Sequence, residues 1–236
     1  MMELQGRKAL VFGGASGIGL AAVRRLAKGG AQVVALSRNP ERAASEMPTG
    51  MAMESVDVLD RAALAETFAR HAPIDVLVNA ATGGERASGP FLQMDLDAFQ
   101  GSFRKLWGYT NTVRLGAGHL SDDAAVVLVS GYPARNPGPG ALALSTVGNA
   151  VEGFVRAVAP ELAPRRINVV SPGLIDTPLF PGEGDAREQF FAGATAKHLI
   201  PRIGTADEVA AGILFVIEND FVTGTTVDVD GGALLS

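Results

Sequence analysis

A run of small residues near the N-terminus has the types and the spacing needed to bind a phosphate group. The run is Gly13-Gly14-Ala15-Ser16-Gly17-Ile18-Gly19, and it lies between the apolar segment KALVF and a helical pattern. Small residues let the backbone approach a pyrophosphate closely, and the N-terminus of the following helix favours negative charge. The spacing therefore predicts a phosphate-binding turn; the alternative interpretation is a tight turn that binds no ligand.

The elements that must position this turn alternate along the chain. Short segments rich in Val and Leu predict buried strands over Lys8–Phe12, Gln32–Ser37, Met51–Asp57, Ile74–Asn79, Ala124–Ser130, Ile167–Ser171 and Thr225–Val229. Helical patterns lie between most of them, over Gly17–Lys28, Asp60–His71, about Asp95–His119, Leu142–Leu162 and Ala206–Glu218. This alternation predicts an α/β fold, a doubly wound parallel sheet of the Rossmann type.

The length of the chain predicts a single domain over residues 1–236, since 236 residues are too few for two domains of the usual size. Residues from about 179 to 200 interrupt the alternation of strands and helices. Long insertions of this kind often cover a binding site, so we expect a lid over the substrate here.

The composition excludes several classes of function. The net charge of −5 argues against nucleic acid as a partner. The absence of cysteine excludes disulfides and thiolate metal sites. The three histidines are scattered along the chain, so we expect no metal site. No apolar segment is long enough for a signal peptide or a membrane span, so we expect a cytoplasmic protein with no membrane partner.

Four further motifs accompany the glycine turn: Asp57 after the third predicted strand, LVNAAT at 77–82, NVVSPG at 168–173 followed by Asp176-Thr177-Pro178, and DVDGG at 228–232. In this order, and over essentially the whole chain, they resemble the short-chain dehydrogenase/reductase family. The resemblance implies a nicotinamide cofactor and an oxidoreductase that acts on a small carbonyl compound, an alcohol or an activated alkene. It also implies a homo-oligomer, a dimer or a tetramer, assembled through the long helices.

The resemblance further implies which residues bind the cofactor. In the family, the acid matched by Asp57 binds the adenine amino group, Pro172 and Gly173 lie near the nicotinamide, and Thr177 holds its carboxamide or the phosphates. The full set of expected cofactor-binding residues is Gly13, Ser16, Gly17, Ile18, Gly19, Ser37, Arg38, Asp57, Val58, Asn79, Ala80, Pro172, Gly173, Ile175 and Thr177.

The choice between NAD and NADP depends on the end of the second predicted strand. An acid there would accept the ribose hydroxyls of NAD and repel a 2′-phosphate. This chain has Ser37 and Arg38 instead, and an arginine can donate two hydrogen bonds to a phosphate. These residue types favour NADP, with NAD as the alternative if Arg38 is only a solvated loop charge.

The helix predicted over Leu142–Leu162 lacks the Tyr-x-x-x-Lys pair that moves the proton in the family. A tyrosine gives up a proton at neutral pH only when a nearby cation lowers its pKa. Leu144 and Gly148 stand at the two matching positions, and the helix contains neither tyrosine nor lysine. The usual mechanism of proton transfer therefore cannot be transferred to this chain.

Other residues are candidates for the missing chemistry. The family's spacing places either Ser130 or its neighbour Gly131 at the catalytic serine, and Ser130 either binds a substrate oxygen or satisfies backbone groups at the strand end. Lys105 matches the family's asparagine and is either a relocated cation facing the vacated space or a surface lysine. Beside Lys105 we expect Ser130 and a tyrosine, either Tyr132 or Tyr109.

Three classes of function remain open at this point. The first is an NADP-dependent oxidoreductase with a nonstandard proton route, and the second is a catalytically inactive NADP-binding sensor or partner subunit. The third is a lyase, isomerase or dehalogenase on the same scaffold. In the family this third class usually has a damaged glycine turn, whereas the turn here is intact.

Overall fold

The computed structural model describes residues 1–48, 51–84, 86–180 and 182–236. The strands are β1 (Lys8–Phe12), β2 (Gln32–Ser37), β3 (Ala52–Ser55), β4 (Ile74–Asn79), β5 (Leu120–Val129), β6 (Arg166–Pro172), β7 (Ile175–Asp176), β8 (Gly204–Thr205) and β9 (Thr226–Val229). The helices are α1 (Gly17–Lys28), α2 (Arg61–His71), α3 (Leu96–Ser102), α4 (Arg104–Gly116), α5 (Leu142–Leu162), α6 (Asp185–Thr195) and α7 (Ala206–Glu218).

Seven strands form one parallel sheet in the order β3-β2-β1-β4-β5-β6-β9, which confirms the predicted doubly wound fold. The chain winds outward from β1 in one direction through β2 and β3, and then in the other direction from β4 onward. The strand order reverses between β1 and β4, and in such sheets ligands bind beyond the carboxyl ends of the strands at this point.

The side chains of the sheet alternate between two hydrophobic cores because neighbouring residues of a strand point to opposite faces. In β1, Ala9 and Val11 pack in the core that includes α1 and α7. Leu10 and Phe12 pack in the opposite core, which includes α2, α4 and α5. Both faces of the sheet are therefore covered, and its functional edges are the strand ends.

The long helix predicted over about Asp95–His119 is wrong as a single element. Helix α3 ends at Ser102, α4 begins at Arg104, and a short 3-10 turn follows from Ala117 to His119. The hydroxyl of Ser102 donates to the carbonyl of Ala98 and accepts the amide N–H of Ala87, each at 2.9 Å. Gly101 and Ser102 are weak helix formers, and the second bond fastens the loop after β4 to this break.

The predicted lid contains a helix of its own. Helix α6 buries Phe191 and leaves Phe190 exposed, and the guanidinium of Arg187 lies 4.5 Å from the centre of the Phe191 ring. Arg187 also forms an ion pair with Asp176 at 2.6 Å, which ties α6 to β7. Pro181, which falls within the predicted range, lies outside the described residues.

In the described part of the chain, none of the helices is both apolar enough and long enough to cross a membrane.

Candidate active site

A cavity of about 1530 Å³ opens at the carboxyl ends of the strands, around the point where the strand order reverses. Its walls come from the glycine turn, the end of β2, the loops after β4, β5 and β6, and the start of α5. Three of the residues that line it are the expected catalytic candidates, Lys105, Ser130 and Tyr132. Every expected cofactor-binding residue except Asn79 also lines it.

The glycine turn is packed so tightly that side chains are excluded from it. A Cβ atom on Gly19 would lie 2.1 Å from the carbonyl oxygen of Gly13. Gly13 itself has a φ of +76°, and a Cβ there would lie 2.8 Å from the carbonyl carbon of Ala80. Ser16 precedes α1 and makes no capping hydrogen bond with any described residue. The first-turn amides of α1 are therefore left for a ligand, as phosphate binding requires.

A second indication that the cavity binds a ligand lies at the end of β2. The hydroxyl oxygen of Ser37 is buried and has no hydrogen-bond partner within the described residues, although Ser37 lines the cavity. Buried hydroxyls are nearly always bonded, so an orphan at a cavity wall indicates a partner supplied from outside the chain. Together with the glycine turn, Ser37 makes the site fit a dinucleotide.

The same end of the cavity carries more positive charge than the sequence suggested. Arg38 is exposed at the rim, and Arg42 joins it from a 3-10 turn over Pro40–Ala43. Arg24 reaches the wall from α1, where it also pairs with Glu46 at 3.0 Å. Arg24 stands seven residues, or two helical turns, after Gly17, and this periodicity is the signal that could have found it.

Asn79 lies beneath the cavity wall. Its side chain is fully buried; Nδ2 donates to the hydroxyl of Thr112 at 2.9 Å, and Oδ1 accepts the amide N–H of Ala81 at 3.0 Å. Both ends of the amide are engaged, so Asn79 holds the loop after β4 against α4. That loop lines the cavity, and the expected contact between Asn79 and the cofactor stays a prediction.

Asp57 lines the cavity next to Val58, as the sequence predicted. One of its carboxylate oxygens accepts the amide N–H of Leu59 at 2.9 Å, which closes a tight turn after β3. The turn fixes the carboxylate at the wall of the cavity.

Lys105 points inward from α4. Its Nζ donates to the carbonyl oxygen of Ser130 at 3.3 Å and lies 5.5 Å from the centre of the Tyr109 ring. Burial disfavours the charged amine, and the nearby charge of Arg86 adds to the effect, so the pKa of Lys105 falls to about 7. The surface-lysine alternative does not describe this side chain.

Ser130 is buried at the end of β5 and takes part in a polar network. Its hydroxyl lies 3.2 Å from Oε1 of Glu152 and 3.4 Å from the carbonyl oxygen of Gly148, and both can accept its proton. Arg135 lies 3.4 Å from the other oxygen of Glu152 and also pairs with Asp228. Sequence reasoning missed this network, although Glu152 stands one helical turn after Gly148.

The two tyrosines differ in burial and in what their side chains contact. Tyr109 is fully buried and its hydroxyl donates to the carbonyl oxygen of Val129 at 3.0 Å, and burial raises its pKa. It is therefore committed to the core, although its ring lies beside Lys105, and its hydroxyl is not directed at the cavity. Tyr132 lines the cavity from a 3-10 turn over Tyr132–Ala134, with its ring centre 6.2 Å from that of His198.

The space that a side chain at position 148 of α5 would need is filled by the 3-10 turn over Tyr132–Ala134. A Cβ atom on Gly148 would lie only 2.8 Å from the Cβ of Ala134, and 3.3 Å from the hydroxyl of Ser130. The side chain of Asn149 also donates to the carbonyl of Ala134. The 3-10 turn therefore rests directly on the helix at Gly148, while Leu144 faces the cavity one turn earlier.

Comparison with known proteins agrees with this geometry. A family model described as Enoyl-(Acyl carrier protein) reductase matches residues 13–233. The chain belongs to the short-chain dehydrogenase/reductase family.

Relatives match this short-chain dehydrogenase/reductase over nearly the whole of both chains. Carbonyl reductase family member 4 of Danio rerio is 33% identical, over 97% of this chain and 98% of the relative. L-xylulose reductase of Mus musculus is 31% identical, over 99% and 98%. A solved structure of a small-chain dehydrogenase in complex with NADPH is 28% identical, covers 98% of this chain and 100% of that one, and has a TM-score of 0.86.

As a member of the short-chain dehydrogenase/reductase family, the chain combines a glycine turn that lines the cavity with a helix α5 that contains neither tyrosine nor lysine. The glycine turn, Ser37 and the Pro172–Thr177 segment all face the cavity. Leu144 and Gly148 remove the tyrosine and the lysine, and the cation nearest to Ser130 comes from α4. The arrangement can bind a dinucleotide and presents an amine, Lys105, whose pKa suits proton exchange near neutral pH.

Proposed function

We propose that this protein is an NADP-dependent oxidoreductase that reduces a small carbonyl compound or an activated alkene, with Lys105 as the proton donor. The observation that carries the proposal is the position of Lys105. Its Nζ lies inside the cofactor cavity, 3.3 Å from the carbonyl oxygen of Ser130 at the end of β5. An amine whose pKa is near 7 can hold and release a proton under working conditions.

The residues present fit NADPH, the cofactor of the solved relative. The amides of the glycine turn and of the first turn of α1 would bind the pyrophosphate. Ser37 and Arg38 would bind the 2′-phosphate, with Arg42 as a second cation. When bound, the cofactor supplies a hydride to an electrophilic carbon of the substrate.

Lys105 would complete the reduction. As negative charge develops on the substrate oxygen, its ammonium group would give up one proton to that oxygen and would then be reprotonated from water. The carbonyl of Ser130 orients Nζ, and burial keeps the pKa of the amine low enough for release. The hydroxyl of Tyr132, which also lines the cavity, would be a further contact for the substrate.

We also propose a homo-oligomer, a dimer or a tetramer, formed through the outer faces of α4 and α5. Trp107 on α4 is 54% exposed, and large exposed aromatic side chains are common in protein interfaces. Size-exclusion chromatography with light scattering would measure the mass directly, and a monomer at micromolar concentration would contradict this assembly.

The function is tested by NADPH oxidation with a panel of aldehydes, ketones, quinones and activated alkenes. We expect turnover by the unmodified protein, and a loss in kcat of about 10²–10⁴-fold in Lys105→Met, the usual contribution of a positioned acid. The dissociation constant of NADPH should change little. Lys28→Met, which removes an exposed lysine from the end of α1, serves as the matched control.

Cofactor choice is tested by fluorescence titration of NADPH and NADH. Loss of a charge-assisted bond costs about 1.5–3 kcal/mol, so Arg38→Ala should weaken NADPH binding about 10–100-fold and leave NADH binding unchanged. Equal affinity for both dinucleotides in the unmodified protein would overturn the NADP assignment. Tight NADPH binding with no turnover of any substrate would instead support the inactive sensor or partner subunit.

A further inference from the structure

Two cations, Lys105 from α4 and Arg86 from the loop after β4, line the cavity. That loop packs directly on the start of α4: a Cβ atom on Gly83 would lie 2.5 Å from the backbone nitrogen of Lys105, and the amide N–H of Ala87 donates to the hydroxyl of Ser102 at 2.9 Å. The charge of Arg86 accordingly adds to the lowering of the pKa of Lys105. Both side chains are part-buried, and neither forms an ion pair with any carboxylate that the structure describes.

Not every arginine of the cavity is in this state. Arg24 pairs with Glu46 at 3.0 Å, whereas Arg38 and Arg42, at the end assigned to the 2′-phosphate, form no ion pair with a described carboxylate. The buried acid nearest to Ser130 is Glu152, and its oxygens are already engaged by the Ser130 hydroxyl and by Arg135. The positive charge at the inner end is therefore left without a counter-ion in the described chain.

Keeping two like charges together in a part-buried place has a free-energy cost. Burial lowers the pKa of Arg86, and burial with the neighbouring Arg86 charge lowers that of Lys105. A bound anion would offset both effects, because a buried charge is stable only when it is paired. The planar guanidinium of Arg86 suits an oxyanion, to which it can donate two parallel hydrogen bonds.

The position of the pair separates it from the phosphates of the cofactor. The glycine turn follows β1, whereas Ser130, which Lys105 contacts, follows β5, and β4 lies between these two strands in the sheet. Lys105 is therefore at the end of the cavity where the chemistry is proposed, and the packing of the loop after β4 on the start of α4 brings Arg86 toward it.

We propose that Arg86 and Lys105 form a subsite for an anionic group of the substrate, a carboxylate or a phosphate, next to the reacting centre. Arg86 is the main contact with the anion, and Lys105 adds positive charge while it serves the reacting oxygen. The preferred substrate is then an oxo acid or an oxo phosphate. The assignment of the anion to the substrate rests on the proposed reductase function.

Binding is tested first, without turnover, on the NADPH-loaded protein by isothermal titration calorimetry. The probes are benzoate, phenyl phosphate and the neutral benzamide. We expect one or both anions to bind while NADPH stays bound, and Arg86→Gln to weaken that binding at least about 10-fold, as expected for loss of a charge-assisted contact. Arg86→Lys should restore part of the affinity, and Arg156→Gln, on the exposed face of α5, should not change it.

The binding experiment has clear opposing outcomes. Anion affinity that is the same in Arg86→Gln overturns the subsite, and so does an anion that competes with NADPH. Whether benzoate or phenyl phosphate binds more tightly decides between carboxylate and phosphate. Benzamide binding equal to that of both anions would also overturn the proposal, since charge would then play no part.

Turnover is tested with phenylglyoxylate and its methyl ester, which carry the same ketone with and without a negative charge. We expect the acid to be preferred by at least about 10-fold in kcat/KM, and Arg86→Gln to remove that preference. Equal turnover of acid and ester overturns the subsite as a determinant of specificity. Anion binding without turnover of any substrate leaves the subsite intact and contradicts the reductase function instead.

Discussion

At the scale of single residues, Lys105 on α4 presents its amine to the carbonyl of Ser130 at 3.3 Å. Gly148 on α5, which matches the family's lysine in sequence position, has no side chain to offer. The sequence could point to Lys105 because Gly108, three residues later, matches the glycine of the family's motif. It could not decide the direction of the side chain, since an amphipathic helix also carries lysines on its exposed face.

The pH dependence of the reaction follows from Lys105. The proton donor must be charged, so kcat/KM for reduction should be highest below the pKa of about 7 and fall as the pH rises through it. The charged and titratable groups facing Nζ are Arg86 and the Tyr109 phenol. Arg86 stays charged and Tyr109 stays neutral over this range, so the change expected near pH 7 is that of Lys105.

The measurement is a pH–rate profile of NADPH oxidation from about pH 5.5 to 9. Lys105→Arg should lower the rate and remove the inflection, because a guanidinium does not titrate in this range. Lys28→Met should keep the inflection. A profile with the same inflection in Lys105→Arg would assign it to another group.

The lowered pKa of Lys105 also makes the free energy of unfolding depend on pH. Native Lys105 loses its proton near pH 7, whereas in the unfolded chain a lysine keeps it to about pH 10.4. The unfolded state therefore binds more protons between these values, and the contribution of Lys105 to stability rises with pH across that window. Below about pH 7 both states hold the proton, and this contribution no longer changes.

At the scale of elements, the sheet and most helices could be predicted because their apolar periods are regular. The division between α3 and α4 could not, since it depends on a hydrogen bond from Ala87 to Ser102, 15 residues apart. The network of Ser130, Glu152 and Arg135 was missed for the same reason. Contacts between distant segments leave no period in the sequence, whereas turns and buried strands do.

The contact between α5 and the 3-10 turn gives a prediction about stability. Glycine to alanine inside a helix usually stabilises by about 1 kcal/mol, but overpacking costs about 1–3 kcal/mol. In Gly148→Ala the new Cβ would lie 2.8 Å from that of Ala134, so the free energy of unfolding should fall by about 1 kcal/mol. In Gly153→Ala the nearest atom is 3.9 Å away, so the same change should stabilise.

Urea unfolding of both variants measures the difference. Adding Ala134→Gly to Gly148→Ala should recover much of the loss, since the clashing methyl group is removed. Equal stabilisation by the two glycine substitutions would show that the turn does not rest on the helix as described.

At the scale of the whole molecule, the cofactor cavity joins the two halves of the sheet. The glycine turn and Arg38 come from the first half, and the segment from Pro172 to Thr177 comes from the second. A ligand that contacts both halves binds only the folded state and therefore stabilises it.

Thermal unfolding should report this coupling. NADPH at 100 times its dissociation constant stabilises by about 2.7 kcal/mol, which raises Tm by about 5–10 °C for a chain of this size. NADH at the same concentration should give a smaller shift, because it lacks the phosphate for Arg38. An unchanged Tm at saturating NADPH would contradict cofactor binding in this cavity.

The close fit between Gly148 and Ala134 also decides whether the family's pair could be installed in this chain. A tyrosine at position 144 would face the cavity, whereas a lysine at position 148 would meet the turn at Ala134. The turn is further fixed by Asn149, and Arg135 next to it is paired with Glu152 and Asp228. Substituting positions 144 and 148 alone would therefore not rebuild the pair, because the turn fills the space that the lysine side chain needs.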